Sequence, residues 1–162
     1  MAGRIPYREV VLPLLLAEAT VQLAGPAGTR TAPMQEVFNR RLLCEDGEFL
    51  VRIRVPKTIV SAPTFYRRKT KNSRVDYPIA SATFLKNAGQ LRMAVGGAYG
   101  FPIRSTEAEV VLNDSKIPLI DRPAKVIEAI PLTIRHDHRA SAEYRRMLLE
   151  QMIKEALETL SP

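Results

Sequence analysis

Gln90-Leu91-Arg92-Met93-Ala94-Val95-Gly96-Gly97-Ala98-Tyr99-Gly100-Phe101-Pro102-Ile103-Arg104-Ser105-Thr106-Glu107-Ala108-Glu109 is where the pattern of this chain changes. Gln90 to Val95 reads as a strand entering Gly96-Gly97, and a helical pattern follows. Ser105 or Thr106 can cap a helix running to Leu112, with Glu107 and Glu109 in its first turn, where they favour the helix dipole. Upstream, Thr64 to Thr70 and Ile79 to Leu85 are strand candidates, and Asn87-Ala88-Gly89 is turn chemistry. Downstream, a helix is expected over 121–130, with Pro123 tolerated in its first turn. A last helix should begin near Ser141 and run to about Leu160, with Leu149, Ile153, Ala156, Leu157 and Leu160 on one stripe. Three antiparallel strands within 62–97, followed by about three helices, define an α+β unit.

Residues 1–57 read as a short β-rich piece. Leu12 to Thr20 offers one or two helical turns, Thr20 to Ala24 is strand-like, and Gly25-Pro26-Ala27-Gly28 turns it back through Thr29 to Ala32. Met34 to Phe38 suits a helical turn after Pro33. Phe49, Val51, Ile53 and Val55 alternate with Leu50, Arg52 and Arg54, the pattern of a half-buried strand ended by Pro56.

The totals set limits. At 162 residues, with 46% hydrophobic and 25% charged content, a globular core needs no staples. One cysteine, Cys44, excludes an internal disulfide and a cysteine-built zinc or iron–sulfur site on this chain, and a reducing cytoplasm is the simplest compartment. The longest apolar run, Val10 to Ala17, is too short to span a membrane. Arg4 and Arg8 precede it, but Glu18 follows and no cleavage pattern is clear, so a signal peptide is not expected. The net charge of +7 invites an anionic cofactor, an acidic partner or nucleic acid without choosing between them.

Several residues invite chemistry and have plainer readings. Arg67, Arg68, Lys69, Lys71 and Arg74 suit a solvated edge strand and turn that resist edge pairing. Gly96-Gly97 lacks a P-loop lysine and a full dinucleotide fingerprint, and a close backbone approach explains it better. Asp137, His136 and His138 lie in a loop, with Asp137 and Ser141 expected to cap the last helix. Tyr144 is expected to pack into the sheet, with Arg145 and Arg146 tying down a loop or a neighbouring subunit. Cys44, flanked by Glu45 and Asp46, is a poor nucleophile candidate.

Taken in order, the segments resemble a known family. Tyr66-Arg67-Arg68 with Asp76-Tyr77-Pro78-Ile79-Ala80, then Gly96-Gly97, Pro102-Ile103-Arg104 with Glu107-Ala108-Glu109, and Asp137 through Arg146 resemble the C-terminal domain of the FAD-binding (medium) subunit of molybdenum hydroxylases. That family includes carbon monoxide dehydrogenase and xanthine dehydrogenase. Pro13 to Ala17, Gly28-Thr29-Arg30, Met34 to Phe38 and Gly47 to Val51 with Val55-Pro56 resemble the tail of the FAD-binding domain itself. The resemblance implies a boundary near residue 57, with 1–57 as that tail and 58–162 as the C-terminal α+β domain. It implies electron transfer from iron–sulfur clusters to FAD, and as partners a molybdopterin-binding large subunit and a [2Fe–2S] small subunit.

The resemblance also implies a partial flavin site. Glu48, Phe49 and Leu50 would approach the ring from one strand, and Arg68 would supply the cation near its polar edge. In the family that cation is often a lysine, and a further family arginine falls here at Asn72. The glycine-rich loops that cradle the FAD pyrophosphate in the family have no counterpart in these residues. The expectation is a chain that does not retain FAD by itself, and for which a companion chain would supply those loops. The alternative is an assembly module that kept the fold and lost the flavin. A basic nucleic-acid-binding protein is a distant third, since only Phe65 and Tyr66 interleave the cations.

Overall fold

The computed structural model describes residues 8–72 and 75–160, so Arg4 and Arg74 lie outside the described residues. It is an α+β architecture in which a small N-terminal layer packs on one face of a second sheet and helices cover the other.

The first helix, α1 (Val11–Leu16), has an apolar face on both sides because it divides two cores. Val11 and Leu15 join Val21, Leu23, Met34, Val37, Phe38 and Leu42. Leu12 and Leu16 turn the other way, to Ile59, Leu85 and Ala94. The strands β1 (Thr20–Gly25) and β2 (Gly28–Pro33) form the expected hairpin, closing at Gly25 opposite Gly28. Gly28 sits at φ 109°, open only to a residue without a side chain. A short turn α2 (Met34–Val37) and the two-residue strands β3 (Phe38–Asn39) and β4 (Arg41–Leu42) lead to β5 (Phe49–Arg54), which pairs antiparallel with β1.

Strict alternation along β5 does not hold. Gln22 pairs with Arg52 but Leu23 pairs with Leu50, so Val51 is an extra residue in a bulge. The bulge puts Leu50 and Ile53, three apart, against the same core. Phe49, Val51 and Val55 are left exposed instead of forming a buried face with Ile53. The strand itself lies where expected; a two-residue period cannot register an inserted residue, which is why the pattern misassigned its faces.

After α3 (Lys57–Val60) comes the second sheet, made of β6 (Thr64–Thr70), β7 (Pro78–Asn87), β8 (Gln90–Gly96) and the short β9 (Ile103–Arg104), antiparallel throughout in that order. The three long strands match expectation within one or two residues; β9 is an addition. Two residues are too few to show a period. The β7–β8 hairpin turns through Ala88 and Gly89, both at positive φ, as a two-residue turn that follows strand twist requires.

The helices α4 (Thr106–Leu112), α5 (Arg122–Glu128) and α6 (Ala142–Leu160) follow, each close to its expected span. Ser105 caps α4, its Oγ accepting from the Ala108 N–H. Phe65, Ala80, Ala82, Phe84, Leu91, Met93 and Val95 face this helical layer and meet Leu149, Ile153, Ala156 and Leu157 of α6. With α1 on its opposite face, β7 is buried on both sides. That is why its sequence is a run of small and apolar residues.

Ion pairs lock the two layers. Arg104 makes a two-pronged pair with Glu109 at 2.7 and 2.9 Å, reaches Glu18 at 3.2 Å, and donates to the Leu15 carbonyl at 3.1 Å. Glu109 is thus fixed by a cation and by the Met93 N–H at 2.9 Å, a more specific role than favouring a helix dipole. Arg92 donates to the Leu16 carbonyl at the end of α1 at 2.7 Å.

Candidate functional site

The expected site residues lie in two different sheets. Glu48, at the mouth of β5, has its carboxylate engaged. Arg30 grips it with Nε at 2.7 Å and Nη2 at 2.8 Å, and the Glu45 N–H adds a bond at 2.8 Å. The Arg30 hydrogen bond, then the backbone donor, holds this carboxyl down at about 2. Gly25 leaves room for it: a Cβ there would stand 2.8 Å from Glu48 Cγ. The Glu48 side chain therefore ties the β1–β2 hairpin to the 43–48 loop, while its backbone N–H donates to the Glu45 carbonyl at 3.0 Å. Leu50 buries its side chain in the N-terminal core. Phe49 is 63% exposed, an aromatic ring beside Ala24 on the outer side of the sheet.

Arg68 lies on β6, an edge strand, opposite Ser81. Its Nη2 donates to the Asp76 carbonyl. The cation run divides between the two faces of this strand. Arg67 points to the helices, pairing with Glu155 of α6 at 2.8 Å and lying 4.6 Å from the Phe65 ring centroid. Tyr66 and Arg68 share the other face, the side on which α1 packs. There the Tyr66 hydroxyl donates to Glu9 at 2.9 Å, and the Ser81 hydroxyl donates to the same carboxylate at 2.8 Å. Burial, then the hydrogen bond and the charge of Glu9, pushes the Tyr66 phenol up to about 12, partly opposed by Arg68. Gly96 completes the row, since a Cβ there would lie 2.7 Å from Ser81 Oγ and 3.1 Å from Glu9 Oε1.

Beside Arg68, the β6–β7 turn is anchored by Asp76. Its carboxylate accepts from the backbone N–H groups of Lys71, Asn72 and Tyr77 at 3.2, 3.0 and 2.7 Å, and from Arg139 at 2.7 Å. The Arg139 bond, followed by the Asn72 N–H, holds the carboxyl at about 2.

The loop before α6 departs from expectation in two details. Ser141 does cap α6, its Oγ accepting from the Tyr144 N–H at 3.2 Å. Asp137 does not; it binds the N–H groups of Arg139 and Ala140 and pairs with Arg145 and Arg135. Burial raises the Asp137 carboxyl, but these donors and cations outweigh it and bring it below its ordinary value. Tyr144 is exposed, and among the described residues the buried tyrosine is Tyr99. Arg145, fully buried, is the residue that ties the loop down. It donates to the carbonyls of Ile79 and Gly97, the second at 2.8 Å, and to Asp137 at 2.7 Å. Gly97, at φ +73°, brings its backbone within a Cβ's 3.0 Å of the Pro78 carbonyl, the close approach expected of the glycine pair. Cys44 is exposed, and among the described residues no cluster of His, Cys, Asp and Glu could hold a metal. Among them also, no helix is long and apolar enough to cross a membrane.

The four-stranded sheet with three helices on one face is an α+β domain in which a basic edge strand and an exposed aromatic strand lie outside the core. Residues 64–160 match the family model described as the CO dehydrogenase flavoprotein C-terminal domain, and the chain belongs to that family. Solved structures extend the likeness to the N-terminal layer. One is a carbon monoxide dehydrogenase from Hydrogenophaga pseudoflava lacking the Mo-pyranopterin moiety of its cofactor, with TM-score 0.77 and 24% identity over 94% of this chain and 56% of that one. A second is quinoline 2-oxidoreductase from Pseudomonas putida 86, with TM-score 0.77 and 20% identity over 98% of this chain and 57% of that one. A third is a reconstituted CO dehydrogenase from Oligotropha carboxidovorans, with TM-score 0.73 and 25% identity over 90% and 54%. The chain thus spans a little over half the length of each of these relatives. The resemblance read from the sequence is borne out at the level of family and fold.

Proposed function

We propose that this chain is the downstream part of the flavin subunit of a molybdenum hydroxylase of the carbon monoxide dehydrogenase type, supporting electron transfer from iron–sulfur clusters to FAD. The observation that carries this reading is the family match over 64–160, continued by structural likeness across the N-terminal layer. On this reading residues 1–57 are the tail of a FAD-binding domain and 58–162 the C-terminal domain. FAD is a two-electron carrier and supplies the redox chemistry.

The residues suit a partial flavin site. The exposed ring of Phe49 would form an apolar wall, with the backbone of Glu48 and Leu50 beside it, and the exposed Arg68 would stabilise negative charge on the reduced ring. The carboxylate of Glu48, saturated by Arg30, takes no part. Glycine-rich loops, on upstream sequence or a companion chain, would hold the pyrophosphate. The partners are a molybdopterin-binding large subunit and a [2Fe–2S] small subunit, and the organic substrate does not meet this chain. A reducing cytoplasm suits the free thiol of Cys44.

Affinity-tagged chain purified from its native host tests this. Co-elution of a molybdopterin protein and a two-cluster iron–sulfur protein is expected. Elution with neither would contradict the reading, and co-elution of both in a complex without flavin would favour an assembly module that has lost it.

A further inference from the structure

Glu9 places its carboxylate on the Tyr66–Arg68 side of the edge strand, bonded to Tyr66, and the flavin contacts above do not use it. Its carboxylate bridges two strands: Oε2 accepts from Tyr66 on β6 at 2.9 Å and Oε1 accepts from Ser81 on β7 at 2.8 Å. Ser81 is fully buried and lies directly opposite Arg68 on one side and Gly96 on the other. The sheet makes room for the carboxylate where Gly96 has no side chain. Glu9 is itself fixed at the entrance to α1, its carbonyl accepting from the Leu12 N–H at 3.1 Å. Two hydroxyl donors, a missing Cβ and a helix start thus converge on one carboxylate, on the sheet face that also carries Arg68.

We propose that Glu9 is a positioning residue of the flavin seam, holding the Tyr66 phenol and the Arg68-bearing strand in one arrangement and opposing the charge of Arg68. This rests on the reading of Arg68 as the flavin's cation. Glu9 acts through its neighbours. With the anion gone, the positive field at Arg68 is less offset, and a negatively charged reduced ring is favoured. Substitution of Glu9 and of Arg68 should therefore move a flavin potential in opposite directions, which loss of structure alone would not do.

Two measurements separate the claims. Glu9→Gln keeps an acceptor for Tyr66 and a partner for Ser81, so the fold should hold. In the full chain, alkaline difference absorbance of wild type minus Tyr66→Phe isolates the Tyr66 phenol, and Glu9→Gln should lower its midpoint by removing the charge of Glu9. An unmoved midpoint overturns the coupling, with or without flavin. In the assembled flavin subunit, Arg68→Ala should lower the FAD reduction potential and Glu9→Gln should raise it. A potential that responds to Arg68→Ala but not to Glu9→Gln overturns the role of Glu9 and leaves the flavin reading intact. A potential that ignores Arg68→Ala overturns the flavin reading itself, and the positioning role with it.

Discussion

Arg145→Met should be among the most damaging single changes in the helical half of the protein. Arg145 has no exposed side-chain surface, and three acceptors depend on it: the carbonyls of Ile79 and Gly97 and Oδ1 of Asp137. Methionine fills a similar length but donates nothing. Two backbone acceptors would then lose a charged donor, at about 1–3 kcal/mol each where they stay buried. Asp137 would not be stranded, because the Arg139 N–H at 2.9 Å and Arg135 at 2.6 Å still hold it. Breaking one side of a buried pair costs about 3–5 kcal/mol when the survivor is orphaned, so the lower end applies here. The expected loss is about 3 kcal/mol. It is read from the urea midpoint at unchanged slope. A loss below about 1 kcal/mol would refute the reasoning and show that water or relaxation replaces Arg145.

Acid should weaken the β6–β7 turn in a defined window. Asp76 is held at about 2 when folded and is near 3.9 unfolded, so between those values the unfolded chain binds the proton; this contribution is complete above about pH 4 and fades as pH falls toward 2. Thermal melts across that range should show a shallower acid slope for Asp76→Asn than for wild type, and equal slopes would contradict the Arg139 pairing. Gly97→Ala should cost about 1–2 kcal/mol for positive φ alone, plus strain against the Pro78 carbonyl, and a neutral melt would argue against that close approach. Ala88→Asn should stabilise by up to about 1 kcal/mol, since Ala88 sits at φ 49° in the hairpin turn and asparagine tolerates that region better; a lower melting temperature would contradict the turn assignment.

Much of the C-terminal half was legible because its signals are local. Ser105 caps α4, the stripe of α6 lies on the core, and Asn87 to Gly89 turns the hairpin. What escaped were features decided by tertiary contact. The bulge at Val51 depends on where β1 places its partners, and β9 exists only because Ile103 and Arg104 meet Val95 and Ala94. Arg145 was read as a tie, but its complete burial follows from carbonyls on β7 and after β8, distant in sequence. Glu48 and Arg68 stand out only through the family resemblance. Nothing in their spacing announces that Arg30 occupies the Glu48 carboxylate, or that Glu9 reaches Tyr66 and Ser81 beside Arg68.

The visible spectrum of purified protein tests the central claim most directly. A few contacts from Phe49, Leu50 and Arg68 must offset about 4–15 kcal/mol of lost freedom on binding, which they should not do without donors to the pyrophosphate. The chain alone should be colourless, and co-expression with a segment carrying the family's glycine-rich loops should give a yellow complex with flavin absorbance. A colourless complex with that segment would contradict the account.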